Sequence, residues 1–308
     1  MERKNIVFWL AAVVVLFYPS ISHVQEAALV WKGCSITKNA FMVECAAAYE
    51  KKTGVHIELI GGGATLGIRA TLAGDADIGG TCRPCRPDLF PTEESGGYLT
   101  AVAWDAICFI THPGNPVNSI SSQQARDILT GKITNWQQVG GPDQPVLLIY
   151  RRQTEEGKLS GVGYMTRKLL FQSHDIEYSR KAMNFRDSGL VERRVEELKW
   201  SFASDGFSSA RRRKVKILAL DGVACGKETI MTGRYPLFRP LYLITKGKPA
   251  SETKKFIDWL LGEEGQGIIS AQGTVNLEEG QALPAKFGAW EQQKCILNLT
   301  PDAAPDRH

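Results

Sequence analysis

Apolar and polar positions follow two different periods along this chain, and the two periods trade places repeatedly. Short apolar runs at 28–32, 55–60, 106–111, 146–150, 216–220 and 237–245 have strand length and predict strands. Between them, 39–51, 121–130, 158–171, 189–198, 251–261 and 265–271 carry apolar positions at helical spacing. In the first helix Phe41, Val43, Cys45, Ala48 and Tyr49 form the stripe. Ser121 or Ser122 is placed to cap the second. Strand and helix in alternation predict an α/β class with mainly parallel sheets. No fixed-period repeat and no low-complexity stretch interrupts the pattern, and 300–308 reads as a loose tail.

The first 22 residues stand outside that pattern. Glu2-Arg3-Lys4 precedes an apolar run from Ile6 to Tyr18, and Ser20-Ile21-Ser22 supplies small residues for cleavage. This predicts a secretory signal peptide over 1–22, with an uncleaved anchor as the weaker alternative. Gly33-Cys34 is a poor lipid-attachment site, because Trp31 and Lys32 precede it. The expected location is periplasmic or otherwise exported. The 308 residues less the leader leave about 285, enough for two lobes.

The chemistry begins at Gly61-Gly62-Gly63-Ala64-Thr65-Leu66-Gly67, between the 55–60 strand and a helix through 68–72. Three glycines let backbone come close to a bound group. The helix start then offers free N–H groups and the positive end of its dipole. That is an anion cradle made from main chain, although such a turn alone is more often an ordinary loop. A second segment, Asp75 to Pro84, ends a short strand in small residues and again admits close approach.

A net charge of +4 and 23% charged residues fit an ordinary globular protein. The dense basic run Arg211-Arg212-Arg213-Lys214 lacks aromatic interleaving, so it reads as a solvated loop and not as a nucleic-acid surface. Seven cysteines are present, an odd number, so at least one thiol stays free, pairs elsewhere or binds something.

Several blocks resemble the phosphate-type solute-binding proteins of bacterial ABC importers, of the type II periplasmic binding protein family. One runs from Ser121 through Thr130-Gly131-Lys132-Ile133-Thr134-Asn135-Trp136 to Asp143. Others are Asp77-Ile78-Gly79 with Arg83-Pro84, Leu218 to Val223, and Gly233 to Tyr242. The resemblance implies two α/β lobes with a crossing-strand hinge near Ile110 and Leu220 and a ligand cleft between them. By analogy lobe 1 is 28–111 plus 223–299, and lobe 2 is 112–222. The implied function is capture of an inorganic oxyanion, phosphate first, for an ABC permease or a membrane sensor. A monomer with no cofactor and no nucleic-acid partner is implied.

Carried over by position, the resemblance places Cys34, Ser35 and Thr37 on the first ligand loop. Gly63, Ala64 and Thr65 fall on the second and Cys82 on the third. On the fourth, the family has Arg, three residues, then Ser-Gly-Thr at a helix start. Arg152 and Gly157 match, while Glu156 replaces the Ser and Lys158 the Thr. A carboxylate offers no donor, and about 4 Å from a dianion it would cost about 2 kcal/mol even in water. Three readings stay open: the glutamates turn outward and cap the helix, Glu156 occupies the anion site, or the ligand is not phosphate. Cys34 and Cys82 bear on the third, since thiolates suit zinc, copper(I) or a trivalent metalloid such as arsenite. Against that stands a disulfide, Cys34–Cys82 or Cys82–Cys85, formed after export. Cys45 and Cys108 read as core residues, and Cys225 with Cys295 is a candidate pair.

The five histidines make no metal-ligand spacing, and no nucleophile elbow or P-loop lysine occurs. The sequence therefore points away from an enzyme and calls for no metal.

Overall fold

A computed structural model of the chain describes residues 29–151, 159–173, 175–185 and 187–287. The leader 1–22, the tail 300–308, Cys295 and the residues Arg152, Glu156, Gly157 and Lys158 lie outside this set.

The elements follow in order. β1 (Leu29–Gly33) leads into α1 (Ser35–Thr37), a π-helical turn (Lys38–Met42) and α2 (Val43–Thr53). β2 (Ile57–Gly61), α3 (Ala64–Ala73), β3 (Ile78–Thr81) and the long β4 (Gly97–Thr111) come next. Then β5 (Ser119–Ile120), α4 (Ser122–Thr130), β6 (Leu147–Arg151), α5 (Gly161–Thr166), β7 (Met183–Phe185) and α6 (Ser188–Glu197) follow. β8 (Ser201–Gly206), α7 (Phe207–Ala210), β9 (Lys216–Leu220), α8 (Lys227–Met231) and β10 (Phe238–Lys246) complete the sheet. Helices α9 (Ser251–Leu261), α10 (Glu263–Ala271) and α11 (Leu283–Phe287) close the described chain.

The main strand order is β2-β1-β3-β10-β4-β8-β6-β7, with β9 pairing β4 and β5. β1 is parallel to β2 and β3, and β6 is parallel to β7 and β8. The centre departs from the expected parallel arrangement. β10 is antiparallel to β3 and β4, and β4 is antiparallel to β8 and β9. The cause is β4 itself, which passes through both halves. From Gly97 to Ala106 it pairs with β10, and from Ile107 it pairs with β8. Val102 to Thr111 are all buried, as the continuous apolar run from Ala106 requires. The change of partner divides the molecule into two α/β halves.

The most family-like sequence block turns out to be structural. Ser121 caps α4 in a capping box with Gln124, and Gly131 ends it at φ 81°. The Asn135 side chain accepts from the N–H groups of Gln137 and Gln144, and buried Trp136 donates Nε1 to Trp200 O at 2.9 Å. Phe202 lies edge-on to Trp136 and stacks on Phe109. The basic run is a largely exposed turn before β9, as its sequence suggests, and its arginines also make surface pairs. Arg211 donates to Gln272 O, Arg212 pairs with Glu44, and Arg213 pairs with Glu196. Glu44 and Gln272 lie far away in the chain, so local pattern does not reveal these pairs.

Candidate ligand cleft

β1 and β3 end side by side, with Gly33 opposite Gly80. Neither can carry a side chain. A Cβ on Gly33 would lie 2.5 Å from the Trp31 ring, and one on Gly80 would lie 2.0 Å from it. The backbones therefore approach closely enough for Cys34 N–H to donate to Gly80 O at 2.9 Å. Cys34 caps α1: its thiol accepts from Thr37 N–H at 3.3 Å and lies 2.9 Å from Thr37 Oγ1. The helix predicted from residue 39 thus starts at Ser35, half-buried at the mouth of this loop.

The glycine run folds back as a tight turn into a helix, as its sequence suggests. Gly62 and Gly63 both donate to Gly33 O, and Gly63 takes φ 116°, which favours glycine. α3 then begins at Ala64, so the N–H groups of its first turn have no acceptor within the helix. Opposite them stands Arg151, the last residue of β6. Its Nη2 donates to Gly62 O at 3.3 Å and would touch a Cβ placed on Gly63 at 2.4 Å. The family resemblance points to Arg152 for this role, a residue outside the described set. The described guanidinium at the turn belongs to Arg151.

Thr65 uses its hydroxyl between the halves. It donates to Leu159 O at 2.8 Å and accepts from Arg83 Nη2 at 2.9 Å, so in this conformation its proton is not free for a ligand. Arg83 in turn grips Glu94 with both nitrogens, at 2.7 and 2.8 Å, and both side chains are buried. Burial pushes the Glu94 carboxyl up, but the Arg83 hydrogen bonds and charge, the Arg86 N–H and Arg69 hold it below the usual range.

The helix expected from 158 begins at Gly161, with Ser160 as N-cap accepting from Gly163 N–H at 3.1 Å. A Ser-Gly pair at a helix start is therefore present, four residues beyond Glu156-Gly157. Gly161 packs into the cleft: a Cβ there would lie 2.5 Å from Cys82 Sγ and 3.0 Å from Ala64 Cβ. Arg239 of β10 ties this contact, donating to Cys82 O at 3.2 Å and to Gly161 O at 3.5 Å. Its other nitrogen pairs with Asp105 at 3.0 Å, and Asp105 also accepts from the N–H and hydroxyl of Ser208.

The cysteines are thiols, not the expected disulfides: Cys34, Cys45, Cys82, Cys85, Cys108 and Cys225 are all unbridged. Cys34 and Cys82 are hydrogen-bonded partners. That bond brings the Cys82 thiol down to about 6 against the pull of burial, helped by Arg239 and Arg151 and opposed by Asp105. Burial and the same partner push Cys34 well up. Cys85 sits in a separate apolar cluster with Ile68, Leu99, Tyr242 and Ile244. Cys225 lies against Cys108. Cys45 and Cys108 are buried, as core residues should be. Among the described residues no three His, Cys, Asp or Glu side chains are grouped to hold a metal ion. None of the described helices is long and apolar enough to cross a membrane.

Arg151, Asp105, Ser160, Gly161 and Arg239 were not among the residues read from the sequence. The usable signals were a charged residue inside each of two apolar strands and a Ser-Gly pair before a helical pattern.

A family model described as the PBP superfamily domain matches residues 33–264. The chain belongs to this family. Its fold is the two-lobed α/β architecture of type II periplasmic binding proteins. Among PBP relatives, the phosphate-binding protein PstS of Borreliella burgdorferi is 28% identical over 190 residues, covering 60% of this chain and 68% of its own. PstS of Bacillus subtilis is 25% identical over 232 residues, 73% of each chain. A Clostridium perfringens substrate-binding protein, assigned to a phosphate ABC transporter and solved with bound phosphate, superimposes with a TM-score of 0.72. It is 28% identical and covers 80% of this chain and 98% of its own. A phosphate transport receptor from Vibrio cholerae, 23% identical with a TM-score of 0.62, covers 80% of this chain and 99% of its own and shares the fold.

Proposed function

We propose that this PBP is an exported solute-binding protein that captures an inorganic oxyanion, phosphate first, and delivers it to an ABC permease. The observation that carries the reading is the α3 N-terminus at Gly63, with unpaired first-turn N–H groups facing the Arg151 guanidinium from the other lobe. A helix N-terminus and an arginine fork together suit a compact, multiply charged anion. The phosphate-bound relative at 28% identity supports the same choice.

In this reading lobe 1 is 28–111 plus 223–299 and lobe 2 is 112–222, with bending centred where β4 changes partner. Thr65 and Arg83 of the first lobe contact Leu159 of the second, and Arg86 reaches the Tyr164 hydroxyl at 3.0 Å. These contacts latch the closed form. Cys34, Ser35, Thr37, Gly63, Ala64, Thr65 and Cys82 line one side of the cleft. Arg151 lines the other, and Arg152, Glu156, Gly157 and Lys158 are kept as ligand residues on the family resemblance alone. The segment 1–22 acts as the export leader, and the mature chain works in the periplasm as a binder, not a catalyst.

Competition calorimetry tests the reading. Phosphate should bind one to one, and equal concentrations of sulfate or nitrate should not displace it. Displacement by either at equal concentration, or no phosphate heat, contradicts it.

A further inference from the structure

We propose that a cavity between α5 and the 175–180 segment is a second ligand site, separate from the oxyanion cleft, and that it takes a small aromatic carboxylate. The observation behind it is a buried guanidinium, without a carboxylate partner, in the wall of an aromatic pocket.

The cavity measures about 490 Å³, within the range that holds small organic ligands. Tyr150, Leu159, Tyr164, Ile176 and Tyr178 line it from one half of the molecule, and Leu89 lines it from the segment between β3 and β4. Tyr164 and Tyr178 are buried, and Tyr150 meets Tyr178 edge-on with ring centres 5.4 Å apart. Arg86 lies over the Tyr164 ring and donates to its hydroxyl at 3.0 Å, which fixes that wall.

Arg167 supplies the charge. It opens a π-helical turn (Arg167–Phe171), lines the cavity, and is only 3% exposed. Its Nε donates to Ile176 O at 2.6 Å and its Nη1 to Gly163 O at 3.1 Å. The guanidinium also lies 3.8 Å from the centre of the Tyr178 ring. These contacts fix the plane of the fork and leave Nη2 without an acceptor among the described residues. No Asp or Glu among the described residues forms an ion pair with it. An unpaired buried charge is costly, and an arriving carboxylate supplies the missing counter-ion through a charge-assisted bond.

The rest of the lining narrows the ligand. One buried positive charge matches one negative charge. At the exposed rim Arg180 offsets Glu177 at 3.8 Å, and Asp175 adds negative charge, so a dianion is disfavoured. The tyrosine rings suit a flat aromatic body. The site is also distinct from the glycine turn. Tyr150 lines the cavity, whereas Arg151, the next residue of β6, reaches Gly62. Its occupancy is therefore independent of what the glycine turn binds.

The test is a titration of the mature chain with para-fluorobenzoate, followed by fluorine NMR. The probe should bind saturably at one site, and phosphate at equal concentration should leave it bound. para-Fluorobenzamide has the same shape without the charge and should bind roughly tenfold or more weakly, because it loses a bond to a charged group. Arg167→Gln should lose the probe. Leu89→Glu provides the second variant, since Leu89 is 43% exposed and its replacement should leave the fold intact. It places a like charge in the wall and should also lose the probe. No saturable binding, or equal binding of acid and amide, would overturn the assignment. Displacement by phosphate would put the probe in the oxyanion cleft and overturn the separate site. Unchanged binding in Leu89→Glu, or in a folded Arg167→Gln, would overturn the location. A chain that binds the probe but no phosphate would contradict the oxyanion reading and support this site.

Discussion

In the proposed cleft one position separates Arg151 from the Arg152 that the family resemblance points to. The structure puts Arg151 at Gly63. Arg151→Ala should therefore weaken phosphate binding by roughly tenfold or more, the loss of a charge-assisted bond to a buried anion. Calorimetry on Arg151→Ala and Arg152→Ala side by side separates the two residues, and a larger loss for Arg152→Ala would reverse the assignment. Glu94 carries a different expectation. Its buried pair with Arg83 holds the loop that begins at Cys82, and removing one partner of such a pair costs about 3–5 kcal/mol. Glu94→Ala should lose that much in urea unfolding. Because the folded carboxyl lies below its unfolded value, its stabilisation is complete above about pH 4.5 and is lost as pH falls further. The parent should thus show a steeper acid loss of stability below that pH than Glu94→Gln does. At this scale the tight turn at Gly61-Gly62-Gly63 was legible from its glycines, while Cys34, Ala64 and Cys82 are placed only by the family resemblance. Asp105 and Arg239 were not legible. They neutralise each other across 134 residues of sequence inside strands that read as apolar.

The elements were legible where a single period ran unbroken. β9 and α9 fall on their expected residues, α4 starts one residue later, and α6 and β10 are each displaced by one residue at both ends. β8 escaped notice because Ser201-Phe202-Ala203-Ser204-Asp205-Gly206 has no apolar run, yet every residue of it is buried between β4 and β6. β4 was read from 106 onward, since Gly97, Tyr98, Thr100 and Asp105 interrupt the apolar pattern upstream. The start of α5 matters most for function. With Ser160 as cap, Gly161 becomes the point where lobe 2 touches Cys82 and Ala64. Gly161→Ala would insert a methyl 2.5 Å from Cys82 Sγ, so the lobes could not close fully. Phosphate affinity should fall several-fold, while urea unfolding of the ligand-free protein should change little, within about 1 kcal/mol. A large loss of stability with unchanged affinity would show that Gly161 serves lobe packing and not closure.

For the whole molecule, the two-lobed architecture was legible from alternation and from family blocks, although its sheet connectivity was not. Local patterns do not record that β4 runs from one lobe into the other and turns the centre antiparallel. In the proposed two-lobe reading, that crossing lets one buried strand serve as the hinge while the glycine turn of lobe 1 and Arg151 of lobe 2 approach each other. The account stands on an anion held at that meeting point. A crystal structure of the mature chain grown with saturating phosphate tests this most directly. It should show tetrahedral density between the first turn of α3 and the Arg151 guanidinium, within hydrogen-bond distance of both. Phosphate bound elsewhere, or a closed cleft with no anion between Gly63 and Arg151, would contradict the account.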